Sequence, residues 1–65
     1  MKVGDLVKVI QTPPMFEHML GITGIVIDDL EHDEVQVYHA GREPGEDDMW
    51  WEIHHVEVIS PGGDQ

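Results

Sequence analysis

At 65 residues the chain makes one domain at most, and a domain of this size buries only about 60% of the surface its unfolded form exposes. Fourteen acids against three bases (Lys2, Lys8 and Arg42) give a formal net charge of −11, which argues against nucleic acid and anionic membranes, since both need clustered lysine and arginine. Cysteine is absent, so neither a disulfide framework nor a thiolate zinc site supports the fold.

No apolar run reaches the roughly 18 residues of a membrane-spanning helix, and Met1-Lys2-Val3-Gly4-Asp5 lacks the character of a signal peptide. A soluble, unprocessed chain is expected. The acidic balance leaves a basic protein partner, cations or plain solubility as its purpose.

Val3 to Ile10 is predicted as the first strand, with Val3, Val7 and Val9 on one parity. Pro13 and Pro14 end it, because proline donates nothing to a ladder. Met15 to Leu20 is expected to fold as a loop over one end of the core, the alternative being a single helical turn with Phe16, Met19 and Leu20 on one side; in either case Phe16 and Leu20 are plugs. Gly21 and Gly24 then lead into Ile25-Val26-Ile27. One glycine lets the chain turn sharply, and a missing Cβ lets a neighbour approach. The second strand is placed at Gly24 to Asp28.

Asp29 to Asp33 reads as a polar hairpin tip, and Glu34 to His39 as the third strand. There Val35 and Val37 face in and Tyr38 faces out. Ala40 to Asp48 forms a second long tip, held open by glycine, proline and like charges. Met49 to Ile53 restarts the strand pattern, with Trp51 and Ile53 inward and Trp50 and Glu52 outward. A tight turn at His54 to Val56 feeds a closing strand, Glu57 to Ser60, and residues 61–65 are expected to be a disordered tail.

Five short strands within residues 1–60 define an all-β domain, a small strongly bent barrel with two acidic tips. Val3-Gly4-Asp5-Leu6-Val7-Lys8-Val9, Gly21-Ile22-Thr23-Gly24-Ile25-Val26, Val35-Gln36-Val37-Tyr38 and Val56-Glu57-Val58-Ile59 together resemble the SH3-like barrels, in their KOW- and Tudor-like branch. The start Met1 to Val7 and the ending Val56 to Ser60 are similar to short proteins of marine bacteriophages. That resemblance implies a phage-borne chain acting in the host cytoplasm or in the virion. The loops are acidic where RNA-binding KOW modules are basic, so that activity does not carry over. A single tyrosine, Tyr38, departs from the tyrosine-rich groove of peptide-binding SH3 domains. A methyl-lysine cage needs about three or four aromatics, and Phe16, Tyr38, Trp50 and Trp51 are the entire supply, two of them wanted by the core.

These features imply a non-enzymatic protein-interaction or structural module. Its contact surface is expected at Tyr38, Trp50 and Glu52 and at the acidic tips. The tips carry Asp28, Asp29, Glu31, Asp33 and Glu34, then Glu43, Glu46, Asp47 and Asp48. Exposed tryptophan and tyrosine anchor interfaces, and an acidic rim suits a basic partner. An alternative is an acidic nucleic-acid mimic that occupies the basic groove of a DNA- or RNA-binding protein.

Metal binding is the third class. The carboxylates at 28–34 lack the glycine and glutamate spacing of a helix–loop–helix calcium site. The five histidines are expected to be scattered over the surface; the alternative is that His39 and His54 meet across strands near Glu52. No cofactor is implied. No serine, cysteine or carboxylate assembles a reaction class, so an enzyme is not expected. A marginal core favours a homo-oligomer.

Overall fold

A computed structural model describes residues 1–29 and 33–62. Five strands, β1 (Leu6–Val9), β2 (Thr23–Asp28), β3 (Glu34–Tyr38), β4 (Asp48–Glu52) and β5 (Val56–Ser60), make one antiparallel sheet in the order β4-β3-β2-β1-β5. Two 3₁₀ segments interrupt them, Pro14–Met19 before β2 and Ile53–His55 before β5. No ladder among the described residues joins β4 to β5, so the sheet is open where five bent strands imply closure.

One face of each strand supplies the core. Val7 and Val9, Val26, Val35 and Val37, Trp51 and Val56 are buried together with Met19. The period-2 pattern therefore governs β3, whose Val35 and Val37 lie inside while Tyr38 is 43% exposed. Bulges between Leu6 and Val7 and between Val26 and Asp28 shift the register of the β1–β5 and β2–β3 ladders. Bulges of this kind bend a strand and increase its twist.

Gly21 and Gly24 divide the two uses of glycine. Gly21 has φ +85° with open space around a Cβ position, so it serves the turn out of the 3₁₀ segment. Its N–H donates to the Val9 carbonyl at 2.8 Å, which ties that turn to the end of β1. Gly24 is buried and crowded: a Cβ there would lie 2.5 Å from Val37 Cγ1, 2.6 Å from the Tyr38 carbonyl oxygen and 2.7 Å from His39 Nδ1.

Several elements differ from the sequence pattern. The first strand begins at Leu6 rather than Val3, because Lys2 to Asp5 close a turn through the Asp5 N–H to the Lys2 carbonyl. Met15 to Met19 is helical, not loop; the Pro13 carbonyl accepts from the Phe16 N–H and the Glu17 carbonyl from the Leu20 N–H. This rotation makes Met19 the fully buried plug and leaves Leu20 48% exposed, with Phe16 only partly covered. Ile53 is 41% exposed because the chain leaves β4 at Glu52 and the strand parity stops there. His39, one of the histidines assigned to the surface, is 1% exposed.

Gly62 is held rather than loose. Its N–H donates to Asp5 Oδ1 at 3.1 Å, and the Lys2 backbone N–H donates to Asp5 Oδ2 at 2.9 Å. These donors, Gly62 first, hold the Asp5 carboxyl below its ordinary value of 3.8. A depressed carboxylate contributes stability that is complete above the unfolded-state value, about 3.9, and lost as pH falls through the folded value. Asp5→Asn should therefore lower the melting temperature at neutral pH and flatten the fall in stability between about pH 5 and pH 3. Thermal melts of both chains across that range check it; an unchanged acid limb would remove Asp5 as its source.

Candidate functional site

Trp51 is the centre from which the surface chemistry is arranged. Its indole N–H donates to His39 Nε2 at 3.0 Å inside the core. His39 Nδ1 lies 2.9 Å from the Thr23 carbonyl, which only accepts, so the ring carries its proton on Nδ1 and accepts the indole on Nε2. Three rings stand edge-on to Trp51, at centroid distances of 6.2 Å for Phe16, 6.2 Å for His39 and 6.1 Å for His55. Such edge-to-face pairs contribute roughly 0.5–1.5 kcal/mol beyond area burial.

On the outer side of this cluster a shallow groove of about 150 Å³ runs beside β4. Pro13 and Phe16 come from the first 3₁₀ segment and its approach, Met49, Trp50 and Trp51 from β4, and His55 from the second 3₁₀ segment. Glu34 and Glu52 contribute carboxylates. Its size is below the about 300 Å³ at which small-molecule sites begin, but it admits a side chain or two of an extended segment. Among the described residues β4 pairs only with β3, so the groove follows a free strand edge.

The proposed contact residues fall into separate places. Trp50 and Glu52 line the groove, with Trp50 45% exposed. Tyr38 lies on the same outward sheet face but outside the groove; it pairs with Asp48 across strands while Trp50 pairs with Gln36. Neither aromatic is covered by a methionine: Met15 is exposed and Met19 is in the core. Glu34 sits directly opposite Glu52 in the β3–β4 ladder.

The acidic tips are less uniform than their charge. Asp29, Asp33 and Glu43 are exposed, while Asp28 is half-buried at the end of β2 and Asp47 is half-buried beside β4. The Asp47 carbonyl accepts from the His39 N–H at 2.7 Å. Asp48 Oδ2 accepts from Gln36 Nε2 at 3.4 Å. Glu46 faces His18 Nε2 at 3.0 Å and Arg42 Nη2 at 3.4 Å, and these partners, His18 first, hold its carboxyl below the ordinary range. Glu46 thus fastens the tip to the first 3₁₀ segment. Glu31 lies outside the described residues.

The alternative pairing of His39 with His54 across strands does not form, because His39 is committed to Thr23 and Trp51 in the core. The second 3₁₀ segment instead brings His54 and His55 together, rings 4.4 Å apart, with Glu52 Oε1 3.4 Å from His54 Nε2. A strand pattern read through Ile53, followed by a turn of unspecified geometry at His54 to Val56, hides this grouping in the sequence.

No protein-family model, curated protein or solved structure matches the chain. No helix among the described residues is long and apolar enough to cross a membrane.

Proposed function

We propose that this chain is a non-enzymatic interaction module of SH3-like type that takes a lysine- or arginine-bearing segment of a partner protein into the groove beside β4. One observation carries the reading: an aromatic and proline lining flanked by Glu34 and Glu52, with no lysine or arginine among the lining residues. Aromatic anchors exclude water and hold apolar stem, while the carboxylates meet a cationic head. The meander order β4-β3-β2-β1-β5, with a 3₁₀ segment between β4 and β5, supports the SH3-like assignment. The net charge of −11 adds attraction at long range and speeds encounter with a basic partner. If the likeness to phage chains reflects descent, the partner is a host or virion protein.

Selection from a random peptide library displayed against the chain tests this directly. Selected peptides should be enriched in lysine or arginine, and Trp50→Ala should weaken them by tenfold or more, as expected for an interfacial tryptophan. Glu34→Lys combined with Glu52→Lys should reverse the charge preference. Peptides that ignore Trp50→Ala and fall away with salt alone would favour the nucleic-acid mimic, whose contacts are carboxylates in place of phosphates.

A further inference from the structure

We propose that Glu52, His54 and His55 form a binding site for a late first-row divalent cation, with zinc as the reference ion. One ligand atom from each of the three lies within 4.8 Å of the others. The Glu52 Oε1 to His54 Nε2 separation is 3.4 Å. That is close to the edge of a tetrahedron with metal–ligand bonds of about 2.1 Å, which is roughly 3.4 Å. His55 completes the set, its ring 4.4 Å from that of His54 and its ligand nitrogen within 4.8 Å of the other two donors.

The backbone that presents these donors is fixed from both sides. The Ile53 N–H donates to the Asp33 carbonyl at 2.8 Å, and the His55 carbonyl accepts from Ile10 at 2.8 Å and Gln11 at 3.2 Å. The Ile53 carbonyl accepts the Val56 N–H and closes the 3₁₀ segment. The edge contact with Trp51 sets the plane of the His55 imidazole. Preorganisation of this kind lowers the ordering cost of ligation.

Charge around the site also calls for a cation. Glu34 opposes Glu52 directly across the ladder, an arrangement of like charges that destabilises a sheet. Asp33 and Glu34 line the recess beside Glu52 and His54, and no lysine or arginine shares it. Two imidazoles and one carboxylate select zinc, copper or nickel over calcium and magnesium, which prefer all-oxygen sets. Three protein donors leave a coordination position for water or for a side chain of another molecule. The plain alternative is a surface ion pair between Glu52 and His54 with a bystander imidazole.

Titration calorimetry of the untagged chain with zinc chloride distinguishes the two. Saturable single-site binding is expected, weakened more than tenfold by His54→Ala with His55→Ala and unaffected by His18→Ala. Glu52→Gln, which replaces one exposed carboxylate, should weaken zinc about tenfold and serves if the double variant fails to fold. Copper should quench the tryptophan fluorescence of the parent chain and lose that effect in the double variant. Heat without saturation, equal response to calcium, or an isotherm unchanged in Glu52→Gln and the double variant would overturn the site.

Discussion

Gly24→Ala should leave the chain unfolded at room temperature. The new methyl would meet Val37 Cγ1 at 2.5 Å, the Tyr38 carbonyl oxygen at 2.6 Å and His39 Nδ1 at 2.7 Å. Tyr38 is backbone there and cannot rotate away, so β2 and β3 must separate. Overpacking of this kind costs about 1–3 kcal/mol, and displacing His39 from the Thr23 carbonyl adds about 1–3 kcal/mol for stranded buried polar groups. A domain this small rarely has more than about 3–5 kcal/mol to lose. Gly21→Ala is the control: its Cβ enters open space at φ +85°, and the cost is the left-handed backbone alone, about 1–2 kcal/mol. Urea unfolding followed by tryptophan fluorescence should show a shifted transition for Gly21→Ala and no native baseline for Gly24→Ala. A Gly24→Ala chain as stable as the Gly21→Ala chain would mean that β2 and β3 can part at little cost.

The second large effect lies at the buried pair His39 and Trp51. Trp51→Ala removes a ring that is 2% exposed and in contact with Phe16, His39 and His55, which should cost about 3–5 kcal/mol. Trp51→Phe separates packing from hydrogen bonding, because it keeps an aromatic ring and strands His39 Nε2 without its donor. About 1–3 kcal/mol is expected from that loss. His39→Leu strands the indole N–H in turn, and the double variant should cost less than the sum of the singles. A coupling energy of about 0.5–3 kcal/mol between them, measured by denaturant titration, is the signature of a direct bond. Additive losses would show that the two rings merely occupy neighbouring space.

How legible all this was in the sequence depends on where strand alternation holds. Val35, Val37 and Tyr38 follow it, and so does Trp51, because each sits in a regular ladder with one buried face. His39 was legible too: it continues the parity of Val35 and Val37, and only its polar character argued for the surface. Ile53 and Leu20 were not, since a 3₁₀ segment begins after Glu52 and another ends at Met19, and period 2 has no meaning inside either. The grouping of Glu52, His54 and His55 is invisible for the same reason. Trp50 and Glu52 could be placed outward from alternation, but their groove needs Pro13 and Phe16, which reach it through tertiary packing alone. In the acidic tips, charge counts do not show the partners: His18 and Arg42 engage Glu46, and Gln36 engages Asp48.

Strand order has a consequence for handling the protein in solution. β4 and β5 are the margins of the sheet, and an uncovered margin is a template for a neighbouring molecule. Asp48 and Glu52 guard β4 with charge. β5 is guarded less well: Glu57 lies opposite Lys8, Val58 and Ile59 are exposed, and Pro61 stops extension only beyond the strand's end. Near the pI of about 4.4 the repulsion between copies vanishes while the Asp5 carboxylate, held below its ordinary value, still clasps the Gly62 N–H. Acidic buffers should therefore produce β-rich precipitate seeded along β5 before they produce clean unfolding, and isoelectric precipitation is the wrong way to concentrate this chain.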